Sequence, residues 1–287
     1  MNRKLKAMLT AVLSMSVLLG GCIKDDRDSD DGKLSPEALH VYKNTAYVYS
    51  TAVDESVLTT SLSPAYLILV NKTTSLLDEG YVPTSLSSID SRFVTEGDRE
   101  AGLTLESGAN RALYAMLCEM GADGVRDIAV TSAYRSYTYQ NNLFQNYQKL
   151  ESSTISQDAF VYFGEKYIYD NYTSQGKNKL SAADALAVVL SYSARPGTSE
   201  HQTGLCVDFV TEEYGDRLDN QFEKTGAFAW LRENAYKFGF VLRYPKDKVD
   251  ATGYSYEPWH YRFVGREAAT DMHFAGLCLE EYLNYLE

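Results

Sequence analysis

Positive charge is what this sequence is short of. Its 287 residues hold 27 Lys and Arg against 39 Asp and Glu, for a net charge of −12. The first 21 residues carry Arg3, Lys4 and Lys6 and no acid, so the rest of the chain is more acidic still. Such a chain, with no basic patch, repels phosphates, and nucleic acid is excluded as a partner. Cysteine is scarce too. Beyond Cys22 there are only Cys118, Cys206 and Cys278. An odd three allow at most one disulfide and leave a free thiol, which excludes a disulfide-stapled scaffold. Histidine is limited to His40, His201, His260 and His273. No internal repeat and no second linker divide the chain. Its one long apolar run, about Ala7 to Leu19, is too short to span a bilayer comfortably.

That run belongs to an export signal. In MNRKLKAMLTAVLSMSVLLGGC a basic start precedes the apolar stretch, and small Gly20 and Gly21 precede Cys22. Leu-Gly-Gly-Cys resembles the lipobox of bacterial lipoproteins. The resemblance implies removal of residues 1–21, lipidation of Cys22 and an extracytoplasmic address on a bacterial membrane. IKDDRDSDDGKLSPEA follows, nearly devoid of apolar side chains and unable to bury anything. Residues 22–63 are therefore expected to form a tether, and 64–287 the folded domain.

Within that domain strands and helices intermingle. Tyr66–Asn71 (YLILVN) is a short apolar run that predicts a strand or an extended arm. Ser107–Met120 has helical apolar spacing, with Gly121 as its expected end. Ile128–Ser136 begins as a strand and turns polar, and Thr138–Leu150 reads as the helix after it. Residues 151–180 read as a helix and a loop. Ser181 is placed to cap a helix that stops before Arg195-Pro196-Gly197. Gly204–Val210, Phe240–Pro245 and Trp259–Gly265 read as strands. Helices are expected over Gly226–Phe238 and from Glu267 to Tyr285. The fold class that follows is α+β, one domain with a small antiparallel sheet flanked by helices. The chain is read as a monomer. Tyrosine is abundant, at 23 residues, and reads as a compositional habit.

Chemistry concentrates at two of the four histidines. His201 stands in Ser199-Glu-His-Gln-Thr-Gly204, just before a strand that carries Asp208. His260 stands in Glu257-Pro-Trp-His260, at the start of another. An unpaired carboxylate on an apolar strand face costs several kcal/mol, so Asp208 needs hydrogen bonds or a cation, an arginine or a metal. Two imidazoles and a carboxylate suit catalytic Zn²⁺ and leave a fourth position open. Glu257, three residues before His260, is placed to take a proton from water there. His40 and His273 lack such frames and read as surface or helix residues.

SEHQTGLCVD followed by EPWHYRFVG resembles the VanY-type zinc D-alanyl-D-alanine carboxypeptidases, which include the LdcB-type L,D-carboxypeptidases. TSAYRSYTYQ (Thr131–Gln140) is similar to a third block of that family. YLILVNK, ENAYKFGFVLRYP and TGYSYEPWH match in order, so the resemblance covers roughly Ala65 to Val264. It implies one zinc per chain, at the sheet, held by His201, Asp208 and His260. It implies Glu257 as general base and then as acid to the leaving amine. Arg135 would bind substrate near the scissile bond, either at a terminal carboxylate or at the developing oxyanion. Gln140, Ser199 and Tyr244 match substrate-pocket positions of the L,D-acting branch. The activity implied is removal of the C-terminal D-alanine from peptidoglycan stem peptides, D,D- or L,D-specific. A peptidoglycan endopeptidase and a non-catalytic wall-binding module are the alternatives. One position departs from the family, which usually has alanine where this chain has Cys206. Residues two apart share a strand face, so Cys206 is expected on the side of Asp208.

Overall fold

The computed structural model describes residues 45–58, 62–76, 78–100, 102–151, 180–215 and 217–286. The export signal, Cys22, His40 and the expected excursion over 152–179 lie outside these residues.

A two-stranded antiparallel ribbon, β1 (Leu86–Ser88) with β2 (Thr104–Glu106), runs directly into helix α1 (Ser107–Ala122). Glu106 joins the two, because its carboxylate accepts the free N–H groups of Gly108 and Ala109 at the helix start. Ala109, Ala112, Leu113, Met116, Leu117 and Met120 repeat at helical spacing and form the buried stripe of α1. The helix runs past Gly121 to Ala122, since the Asp123 N–H still reaches the Glu119 carbonyl.

The central sheet has four antiparallel strands in the order β3 (Ala129–Ser132), β4 (Cys206–Val210), β6 (His260–Phe263), β5 (Phe240–Leu242). Strand periodicity sorts its residues by face. Val207, Phe209, Tyr261 and Phe263 enter the main apolar core with the α1 stripe. Cys206, Asp208, His260 and Arg262 take the opposite face. Register places Asp208 directly across from His260 and Cys206 across from Arg262.

Among the described residues, five further helices of eight or more residues flank the sheet: α2 (Tyr137–Glu151), α3 (Ala182–Tyr192), α4 (Gly226–Asn234), α5 (Arg266–Ala275) and α6 (Leu279–Leu286). The Ser181 hydroxyl caps α3 by accepting the Asp184 N–H. The helix expected from Glu267 to Tyr285 is two helices. Gly276 ends the first with φ +66, a conformation that side chains resist, and the chain turns before Leu279.

Tyr66–Asn71 is an arm. It joins no strand, and Arg262 Nη2 donates to its Tyr66 and Ile68 carbonyls at 2.9 Å each. The boundary expected at residue 64 moves earlier. Leu58 is buried in the core, Tyr49, Val53 and Val57 pack against it, and Glu119 of α1 accepts the Ser50 and Thr51 N–H groups. Those apolar side chains have somewhere to go, so residues 45–58 belong to the packed domain. Among the described residues no helix is long and apolar enough to cross a membrane.

Candidate metal centre and active site

One turn and two strands bring the donors together. A short 3₁₀ turn over Glu200–Thr203 carries His201 and ends at Gly204, φ +66. The Glu106 N–H reaches the Gly204 carbonyl, and a Cβ there would lie 3.0 Å from Pro83 and 3.2 Å from Leu86. The turn is thus pressed against β1–β2, and the Arg135 N–H holds the His201 carbonyl from the other side. Strand β4 supplies Asp208, and β6 supplies His260 opposite it.

The result is convergence on one point. His201 Nε2 lies 3.1 Å from Asp208 Oδ2, and His260 Nδ1 lies 2.9 Å from Asp208 Oδ1. The two rings meet edge to face at 5.1 Å. A metal at about 2.0–2.2 Å from each donor fits separations of this size. Each imidazole has its outer nitrogen engaged, which fixes the inner one as a free donor. His201 Nδ1 donates to the Ala133 carbonyl at 2.6 Å, and His260 Nε2 donates to Glu200 Oε2 at 3.4 Å. Cys206 also faces the point. Its sulfur and one ring nitrogen each of His201 and His260 lie within 4.8 Å of one another.

The electrostatics ask for a cation. Burial pushes the Asp208 carboxyl up, but His201 and His260 outweigh it and hold it well below the usual carboxylate range. Burial pushes the Cys206 thiol up, yet the same imidazoles bring it to about 7. Burial and Arg135 lower His201, while Cys206 and Asp208 leave it raised on balance. Acids and imidazoles here compensate one another as buried ion pairs, and a divalent ion would take over the positive charge that the imidazole protons supply. Asp208 meets imidazoles rather than the arginine that was its other expected partner.

Glu257 stands beside this point, with Oε2 3.8 Å from His260 Nδ1. Burial pushes its carboxyl up to about 7, with Asp208 adding to the rise and His260 only partly offsetting it. The donors and Glu257 line a cavity of about 550 Å³ together with Arg135, Gln140, Ser199 and Tyr244. Arg135 Nε is buried there with no partner among the described residues, as is Gln140 Oε1, whose amide nitrogen is held by the Ala194 carbonyl at 2.8 Å. Tyr244 packs its ring 5.0 Å from His260 and 4.7 Å from Tyr254. Tyr139, Tyr147, Tyr192, Tyr254 and Tyr256 line the same cavity. The tyrosine content therefore has a local use as a wall with both apolar faces and hydroxyls. His273 lies on α5, stacked on Tyr236 at 4.1 Å and far from this chemistry. Cys118, Cys206 and Cys278 are all free thiols.

Sequence reasoning passed over Glu200. It is buried, and its Oε1 accepts from Arg243 Nε at 2.7 Å and Arg262 Nη1 at 2.8 Å. Arg243 in turn makes a two-pronged pair with Glu280 of α6, both contacts at 2.7 Å. The available signal was its position beside His201, together with two arginines flanking aromatic residues on β-rich runs.

Two imidazoles and a carboxylate close together, with a second carboxylate beside them on the wall of a cavity, are donors of the kind that catalytic zinc sites use. The chain belongs to the VanY D-alanyl-D-alanine carboxypeptidase family, whose model matches residues 102–266. It is 30% identical to YodJ of Bacillus subtilis (strain 168) over 295 residues, covering 96% of this chain and 94% of that one. The solved structure of the LdcB LD-carboxypeptidase superposes with a TM-score of 0.60 at 32% identity, covering 83% of this chain and 94% of that one. The vancomycin resistance D,D-pentapeptidase VanY, solved with Zn(II), gives a TM-score of 0.55 at 33% identity, covering 77% and 99%.

Proposed function

We propose that this protein is a zinc carboxypeptidase that removes the C-terminal D-alanine from peptidoglycan stem peptides outside the cytoplasm. The observation that carries the reading is the convergence of His201 Nε2, Asp208 and His260 Nδ1 beside the Glu257 carboxyl. These three donors would hold the zinc, which when bound supplies an electrophile for the amide carbonyl and acidity for water. Glu257 takes the proton of the attacking water and passes it to the departing amine of D-alanine. Arg135, whose buried Nε has no partner among the described residues, offers a fixed positive charge to the peptide's terminal carboxylate or to the oxygen of the attacked carbonyl. Gln140, Ser199 and Tyr244 shape the pocket around the terminal residues. A wall-binding module would have no use for Glu257, and its presence favours the enzyme over that alternative.

The test follows D-alanine release from matched pentapeptide and tetrapeptide stems, with and without a chelator. Release that the chelator abolishes is expected from at least one, and the faster substrate assigns D,D or L,D specificity. Glu257→Gln should lower kcat by about 10²–10⁴ while zinc content stays at one per chain. Full turnover in that variant would overturn the role given to Glu257. No release from either stem by zinc-loaded protein would favour an endopeptidase or a binding module.

The lipobox-like Leu-Gly-Gly-Cys22 supports a lipid anchor, with the acidic stretch after it as a spacer from the membrane. Cys22→Ser should move the protein from the membrane fraction to the soluble one. Unchanged partition would remove the anchor from the proposal.

A further inference from the structure

Cys206 is on the metal face of β4, two residues before Asp208, and is fully buried. Its cross-strand neighbour Arg262 is committed elsewhere. The guanidinium donates to the Phe263 carbonyl, to Glu200 and to the Tyr66 and Ile68 carbonyls. The nearest groups of consequence are then the two imidazoles. One ring nitrogen of each lies with the sulfur inside a 4.8 Å triangle. Around a tetrahedral zinc, sulfur and nitrogen donors sit roughly 3.5 Å apart, from bonds of about 2.3 and 2.0 Å. The triangle's sides are longer than that by at most about 1.3 Å.

We propose that Cys206 is a fourth protein ligand of the metal centre. The inference rests on the reading above that His201, Asp208 and His260 hold a divalent ion. When the sulfur–metal bond forms, the thiol proton leaves to solvent. The centre then has two nitrogens, one oxygen and one sulfur, a complete tetrahedral set of the kind that closes a site. With the ion bound, Cys206 would cap the resting centre with the chain's own thiolate. A soft sulfur donor also biases the site toward zinc over magnesium or manganese.

The test is spectroscopic and needs no turnover. Full-length protein is stripped of metal and loaded with cobalt(II), and the same is done with Cys206→Ala. Wild type is expected to show visible d–d bands and an intense near-ultraviolet sulfur-to-cobalt charge-transfer band. Cys206→Ala should keep the visible bands and lose the near-ultraviolet one. Should the alanine variant fail to fold, Cys206→Ser gives the same comparison. Visible bands without the near-ultraviolet band in wild type would overturn the sulfur ligand and leave the three-donor site standing. The same band in Cys206→Ala would also overturn it, because the sulfur would come from another cysteine. No visible bands in either protein would overturn the metal site itself, and the thiolate with it.

Discussion

At the scale of single residues, Glu200 shows how a buried charge is kept. Burial alone would push its carboxyl up, but Arg243 and Arg262 hold it well below the usual carboxylate range. As a carboxylate it accepts the outer N–H of His260, and so points the inner nitrogen at the metal. Replacing it with glutamine keeps the shape and removes the charge that the two arginines share. Zinc affinity should fall about 10–100-fold, the size expected for loss of a partner behind a metal ligand. The metal-free protein should lose about 3–5 kcal/mol, because two buried guanidinium groups are left undercompensated. Chelator competition reads the first and denaturant unfolding the second. Unchanged zinc affinity would mean that His260 is oriented by its strand alone.

At the scale of elements, what the sequence made legible follows its strongest local patterns. Strand alternation placed Asp208 and Cys206 on one face, and the histidine frames named the donors, because both depend on neighbours along the chain. The arm at Tyr66–Asn71 was left between two readings, since an apolar run of six does not say whether its carbonyls meet a strand or, as here, Arg262. The break at Gly276 was missed because Ala275 and Leu277 continue the apolar spacing across it, and only the backbone reveals the left-handed turn. Glu200 was missed because its partners lie 43 and 62 residues away. Gly204 joins element to function. Its φ of +66 and its press against Pro83 and Leu86 set the angle at which the His201 turn leaves β4. Gly204→Ala should cost about 1–3 kcal/mol in backbone strain, and it should weaken zinc binding by displacing His201. Unfolding and metal titration of the one variant check both, and a variant that lost stability but bound zinc normally would separate the turn from the site.

At the scale of the whole molecule, the metal point is where distant parts of the chain are tied. Ala133 follows β3, His201 and Asp208 come from β4 and the turn before it, and His260 opens β6. Behind His260, Glu200 and Arg243 extend the tie to Glu280 on the last helix. An ion at that point binds the folded chain and has no assembled site in the unfolded one, so occupancy adds directly to stability. With free zinc at about a hundred times its dissociation constant the gain is roughly 2.7 kcal/mol. For a domain of this size each kcal/mol moves Tm by about 2–4 °C, so loading should raise it by about 5–10 °C. The stripped protein should nonetheless keep its far-ultraviolet circular dichroism, because Asp208 pairs with both imidazoles and the apolar core lies on the opposite face of the sheet. Calorimetry with and without chelator measures the shift. A metal-free protein that had lost its secondary structure would show that the ion builds this sheet, and an unmoved Tm would show that the folded chain holds the ion no more tightly than the unfolded one.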